Sequence, residues 1–322
     1  MPAERRQVEA LLARHVDGFD ALETLAPLAR GYEAEILELT VRRGDGSRAA
    51  LVLRVGLRPD AADAIAREHL VHAALTAQGY PVPVWWAWSI APEPLGGPWI
   101  LMDRIAGGSL GKAYWAGSKD DRVSARTTLF GLMARLHALP VLETAPPDSV
   151  ACELDALDPW IVPGTPQSLR AARAWLAERA PRVAPQKPVW IHGDFHANNV
   201  LVDRAGAAVV IDWSNARFGD RRTDLAWQRV VSHWILAPER RVGDADDDLA
   251  LYARLTQRPI EAIAFFDVIA GVRLLADVAA QIDAPDVPRP AAHGARQVAT
   301  HLATITGLSF HDLETSLFLR LA

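Results

Sequence analysis

The sequence predicts an α+β protein in two parts: a small β-rich segment built around one helix, then a larger, mainly helical segment with one short β-insert. Three observations carry this. Strand-like runs dominate before residue 106 and helical periodicity dominates after it. A Gly-Asp-Gly turn at 44–46 joins two of the early strands as a hairpin, because Gly and Asp tolerate the positive φ of such turns. The only later strand-like runs cluster between 189 and 213.

In chain order, residues 4–16 read as an amphipathic helix. "ALETLAPLA" (21–29), "EAEILELTVRR" (33–43) and "RAALVLRVG" (48–56) read as strands. Residues 60–78 place Ala64, Val71, Ala74 and Leu75 on one helical face, with Gly79 as the C-terminal cap. "VPVWWAWSI" (82–90) and "PWILMDRI" (98–105) are two further strands. Helices are expected over 121–139, 166–181, 222–236, 246–256, 259–281, 289–305 and 310–321. The β-insert pairs 189–192 with 199–203, followed by "AAVVIDW" (207–213). The division falls near 104–108, giving segments 1–105 and 106–322.

Composition bounds the class. The chain has 322 residues, half of them hydrophobic, so it can bury a large core. A net charge of −5 argues against a nucleic-acid partner. The single cysteine, Cys152, allows no internal disulfide. The N-terminal stretch is charged and lacks a signal peptide's apolar core, and no run reaches the ~18 apolar residues of a membrane span. A cytoplasmic protein with no membrane partner is expected. Its oligomeric state is not readable from composition. Lysine is confined to Lys112, Lys119 and Lys187, while arginine is abundant.

The stretch "WIHGDFHANNVLV" (190–202) concentrates polar groups between two apolar runs. His192, Asp194 and His196 alternate and would share one face of a strand, a spacing that also suits a zinc hydrolase. That reading leaves Asn199 and the following "IDW" unexplained. The pattern His-x-Asp-x-x-x-x-Asn, filled by His192, Asp194 and Asn199, is followed by Asp212 at the end of an apolar run. A base carboxylate, an amide oxygen and a second carboxylate are what phosphoryl transfer asks for, since positioning and charge neutralisation dominate that reaction. Mg²⁺ takes oxygen ligands, and the base must be an acceptor not tied up by the metal.

"HGDFHANNVLV…VVIDWSNARFGDRRTDLAW" resembles the aminoglycoside phosphotransferase family, relatives of choline kinases with a bilobal protein-kinase-like fold. "WILMDRIAGG" is similar to that family's hinge, "LMARLHAL" (132–139) to its helix ahead of the catalytic loop, and 252–279 to its C-terminal helical pair. The resemblance implies a kinase that moves the γ-phosphoryl group of ATP or GTP to a small-molecule hydroxyl. It implies Asp194 as the base, Asn199 and Asp212 as Mg²⁺ ligands, His192 as a brace of the loop, and Asp224 as a structural carboxylate capping the next helix.

The resemblance also implies a strand lysine paired to a helix glutamate on the nucleotide side. No lysine precedes the hinge. Arg54 stands at the matching position and Glu68 where the glutamate is expected; the bland alternative is an ordinary surface ion pair. Because Arg54 replaces lysine, a catalytically inactive nucleotide-binding module stays open. "LARGYEAEI" offers Gly31 alone for the phosphate-covering loop. Met102, Asp103 and Arg104 of the hinge are expected to meet the base of the nucleotide through backbone groups. "GGSLGK" (107–112) imitates a phosphate loop, but Ala106 stands at the first glycine position and no Ser or Thr follows Lys112, so it reads as a linker.

For the acceptor, aminoglycoside-, choline- or sugar-like, the candidates are aromatic and acidic: Trp213, Trp227, Trp234 and Tyr252, with Asp246, Asp247, Asp248, Asp267 and Asp277. Carboxylates suit a polycation, and aromatic faces suit a quaternary amine or a sugar. A solvated helix N-terminus explains the acidic run equally well.

Overall fold

The computed structural model describes residues 4–30, 34–141, 149–236, 244–281, 292–313 and 316–317. Gly31 and most of the helix expected over 310–321 lie outside these residues. The chain divides into two compact units, Met1–Gly108 with Leu201–Ser214, and Ser109–Val200 with Asn215–Ala322. The division expected at 105/106 left 201–214 with the larger segment; the structure gives that stretch to the first unit.

The first unit opens with α1 (Arg5–His15) and continues through β1 (Phe19–Arg30), β2 (Ala34–Arg43), β3 (Arg48–Gly56), α2 (Ala61–Ala77), β4 (Trp85–Ser89), β5 (Trp99–Asp103) and the short β6 (Gly107–Ser109). Five strands form one antiparallel sheet in the order β1-β2-β3-β5-β4. Alternation fixes its faces. Leu37, Leu39 and Val41 of β2 and Leu51, Leu53 and Val55 of β3 are buried and pack with Val8, Leu11 and Leu12 of α1. Each such side chain contributes about 1.5–3 kcal/mol by leaving water. Arg54, one residue out of phase, falls on the opposite face, toward Glu68 of α2.

The second unit runs through α3 (Gly111–Ala116), α4 (Lys119–His137), α5 (Ser149–Leu157), α6 (Gln167–Arg179) and β7 (Val189–Ile191). The chain then enters β8 (Val200–Asp203) and β9 (Ala208–Val210), which form a three-stranded sheet in the order β6-β8-β9. It continues with β10 (Arg217–Gly219), α7 (Arg221–Ile235), α8 (Asp244–Thr256), α9 (Ile263–Gln281) and α10 (Ala292–Thr306). Helices α6, α7, α9 and α10 surround a core that includes Leu169, Leu176, Val230, Phe266, Val272 and Leu302. Among the described residues, no helix is long and apolar enough to cross a membrane.

Three expectations need correction. β7 pairs with β10, not with 199–203. Helices α3 and α5 carried no recognised signal. "GGSLGK" is neither a phosphate loop nor a bare linker: it forms β6 and opens α3. Its glycines serve close approach, since a β-carbon on Gly107 would strike the Val202 carbonyl and one on Gly111 would strike the Asn198 side chain.

Candidate active site

In the second unit, β7 is buried along its whole length and delivers His192, Gly193 and Asp194 to its end. Gly193 sits at φ +74°, and a β-carbon there would come within 2.5 Å of the Asn215 carbonyl. Only glycine suits that turn. The loop's amides are claimed by Asp224. Its carboxylate accepts the backbone N–H groups of His192 at 2.9 Å and Gly193 at 2.8 Å, and stands 3.1 Å from His137 Nε2. Asp224 is fully buried. Burial alone would push its carboxyl up, but the hydrogen bond and charge of His137, with His192, outweigh that and hold it below the ordinary range. His137 Nδ1 in turn meets the Tyr252 hydroxyl at 2.6 Å. Burial raises Tyr252 to about 12, so its O–H remains a donor.

Asp194 follows this clamp. Its Oδ1 accepts the Trp227 indole N–H at 2.5 Å, and its Oδ2 accepts the Asn199 amide at 2.9 Å. The same amide reaches the Asp194 carbonyl at 3.0 Å. Two acceptors on one side fix which end of Asn199 is nitrogen, and so turn Oδ1 away from Asp194. His192 is fully buried, takes the Asp194 N–H on Nδ1 at 3.2 Å, and packs edge-on against Phe195. His196 caps its own turn by accepting the Asn198 N–H, with Nε2 3.4 Å from Asp194. The two histidines thus serve the loop's backbone. Among the described residues, no group of three or more His, Cys, Asp or Glu side chains could hold a metal ion, and His192, Asp194 and His196 form no such group.

The first unit gathers Arg54, Glu68, Asp212 and Trp213. Arg54 and Glu68 form a close ion pair with side chains 17% and 5% exposed, which is not an ordinary surface pair. Glu68 also receives the backbone N–H of Trp213. Burial pushes its carboxyl up, as does the Asp212 charge, while Arg54 and the Trp213 amide pull it down; the balance is upward. Asp212 adopts φ +65°, a left-handed conformation that Asp tolerates better than most residues, and its Oδ1 accepts the Ser214 hydroxyl at 3.0 Å. In β5, Met102 lies opposite Val52 in the sheet. The Asp103 N–H binds the Val84 carbonyl and the Arg104 N–H binds the Ala50 carbonyl. Those two donors are therefore engaged within the sheet. The Asp103 carboxylate accepts the Trp86 indole, and Arg104 faces Glu38 at 3.0 Å.

Several other expectations change. The cap of α7 is Asp220, whose carboxylate accepts the Arg222 N–H; Asp224 serves the loop instead. Trp213 is buried, donates to the Val210 carbonyl and packs edge-on to Tyr80, so it is a core residue. Tyr252 is fully buried behind His137. Trp227 gives its indole N–H to Asp194 and also lines a cavity. Asp248 is buried against Arg126 and Tyr114, and Asp267 against Arg229 and His301. Trp234 packs beside the helical core, and the Asp246 side chain lies outside the described residues.

Residues 25–263 match the profile of the family described as "Phosphotransferase enzyme family". The chain belongs to this family. Hygromycin-B 4-O-kinase of Escherichia coli is 37% identical over 85 residues, 26% of this chain and 24% of that protein. Acyl-CoA dehydrogenase family member 10 of Mus musculus is 27% identical over 180 residues, 52% of this chain and 16% of that protein. The matches thus span a quarter or less of these curated relatives. Among solved structures, the aminoglycoside phosphotransferase APH(4)-Ia superposes with a TM-score of 0.64 at 19% identity, covering 94% of this chain and 99% of that one. Amicoumacin kinase hAmiN, in complex with AMP-PNP, Ca²⁺ and Ami, gives 0.66 at 16%, with 96% and 97% covered. Choline kinase LicA from Streptococcus pneumoniae gives 0.65 at 12%, with 93% and 98% covered. The phosphotransferase family and the kinase-like α+β fold are those expected.

Sequence reasoning missed three groups at the loop: the bonding role of Trp227, the Glu153–Arg217 pair, and Arg273. Arg273 Nη1 donates to the Gly193 carbonyl at 2.5 Å, and its guanidinium lies over the Trp227 ring at 4.4 Å. A cation inside the apolar helix "IAFFDVIAGVRLLADVAAQ" was the readable signal.

Proposed function

We propose that this phosphotransferase moves the γ-phosphoryl group of ATP or GTP to a hydroxyl of a small molecule, with Asp194 as the base. The observation that carries the reading is the Asp194 carboxylate, fixed by the Trp227 indole and the Asn199 amide at the end of a loop clamped by Asp224. Neutral donors hold both oxygens, which orients an acceptor for a proton without pairing it to a lysine or arginine. The acceptor hydroxyl gives its proton to Asp194. A bond forms from its oxygen to the γ-phosphorus as the bond to the bridging oxygen breaks, and the nucleoside diphosphate leaves.

Asn199 Oδ1 and the Asp212 carboxylate are the oxygen donors suited to Mg²⁺, and the turned amide of Asn199 fits that role. Bound by them, Mg²⁺ would neutralise charge on the triphosphate. Arg54, held by Glu68, stands where the family has lysine and takes the phosphates.

The test is a Mg·ATP turnover screen across aminoglycosides, macrolides, choline, homoserine, free sugars and hydroxy acids, with a peptide library alongside. Transfer to a small molecule is expected. Asp194→Asn should keep Mg·ATP affinity and lower turnover at least ~10²-fold, whereas Asp212→Ala should weaken Mg·ATP binding and abolish turnover. Phosphorylation of peptides with every small molecule inert would overturn the assignment, and nucleotide binding without any transfer would favour the inactive module.

A further inference from the structure

A cavity of about 80 Å³ opens inside the second unit beside the loop that carries Asp194. Its walls include Trp160, Trp227, Gly193, Glu153, Arg217 and Arg273. The charges on these walls do not cancel. Both Glu153 oxygens are engaged by Arg217, at 2.8 and 2.6 Å, and one also accepts the Asp220 N–H. That pair is neutral as a unit. Arg273 makes no ion pair among the described residues. One of its five N–H donors is directed to the Gly193 carbonyl, and its plane is held over Trp227 at 4.4 Å and Trp160 at 5.7 Å.

An arginine held by two indoles is a pre-organised cation with donors left over. Guanidinium stays charged at any working pH, and its planar fork matches a carboxylate edge to edge. Burial pulls its pKa below the ordinary arginine value, the Arg217 charge adding to this, while Asp194, Asp277 and Glu153 act in the opposite sense. A desolvated cation without a close counter-ion is an unfavourable arrangement that an anionic ligand would relieve. Of the acidic candidates, Asp248 and Asp267 do not compete, being buried in their own ion pairs.

We propose that the acceptor is a hydroxy acid whose carboxylate is received by Arg273 in the cavity between Trp160 and Trp227. The proposal rests on the kinase reading above and names the substrate class of the same site. Arg273 also bonds the carbonyl next to the base, so the grip on the acid and the position of Asp194 are set by one side chain.

The test uses hydroxy acids of three to six carbons, each with its primary amide, and the matching amino alcohols. Binding is measured by calorimetry on the full chain, and transfer from Mg·ATP is followed in parallel. The acids should bind and be phosphorylated in preference to amides and amines. Arg273→Gln should weaken acid binding about ten- to a hundredfold and change amide binding little. Arg273→Lys, which keeps the charge and guards against a folding failure, should fall between. Equal losses for acid and amide would overturn the proposal, as would preferential transfer to the amines. Absence of binding by every acid up to roughly 10 mM, with Mg·ATP still bound and other alcohols phosphorylated, would overturn it and leave the kinase reading standing. Failure to bind Mg·ATP at all would sink the kinase reading itself.

Discussion

Glu68 and Asp224 are carboxyls of similar burial, 4% and 0% exposed, one in each compact unit, and their surroundings push them in opposite directions. Glu68 is raised: burial outweighs the pull of Arg54 and the Trp213 amide. Asp224 is lowered: His137 and the loop groups it binds outweigh burial. Burial alone therefore does not decide the charge of an interior acid; the number and geometry of the donors aimed at it do. The first unit holds a cation in place with an acid that can give up its charge. The second builds its loop on an acid that must keep it.

The sharpest way to break this contrast is to neutralise each acid. Asp224→Asn puts an amide where three donors converge, and should destabilise the protein by about 3 kcal/mol, read as a lower midpoint in chemical unfolding. Glu68→Gln should lower that midpoint much less. Equal losses would erase the distinction.

The two acids also predict opposite pH behaviour. A folded pKa below the unfolded value contributes stability above about pH 4 that is lost as pH falls through the folded value. Asp224 does this, and so does Asp267, where burial is outweighed by His301 and Arg229. A raised folded pKa acts in reverse, so the contribution of Glu68 is largest in acid and declines as pH rises. Stability measured from pH 3 to 7 should rise with pH, and Asp224→Asn should flatten the acid limb. A wild-type profile without slope below pH 4 would contradict the assignment.

The smallest expected effect belongs to Arg54. Arg54→Ala leaves a buried acid already inclined to protonate, so the fold should survive. Its nucleotide dissociation constant should rise by roughly tenfold, the loss of one charge-assisted contact, with Glu68→Ala milder and adenosine affinity unchanged. Equal losses for adenosine and ATP would point to unfolding of the unit instead.

Much of this was legible in the residues. Strands β2 and β3 were readable because one face is buried and alternation is strict there. Asp194, Asn199 and His192 stood out because polar groups at fixed spacing interrupt two apolar runs. The partner of β7 was not readable, since "VWI" is buried on both faces and has no alternation to set a register. "GGSLGK" misled because glycines that permit close approach look like glycines that loosen a chain. Trp213 and Tyr252 misled because an aromatic ring carries no mark that separates a ligand platform from a core filler. The role of Arg273 was not readable because nothing in the sequence of its helix marks its partner, and only the fold brings its cation to the Gly193 carbonyl.

Tyr252, His137 and Asp224 form a single file of hydrogen bonds from α8 through α4 to the loop. That file has a practical consequence for anyone grafting segments between relatives. A transplanted α8 that supplied Phe for Tyr252 would touch no substrate, yet would leave His137 Nδ1 without its donor. The imidazole would then be free to change tautomer, and the aspartate beneath the loop would lose the proton that faces it. The hybrid would fail at the loop although the graft was made on another helix, so exchanges here succeed only when all three positions travel together.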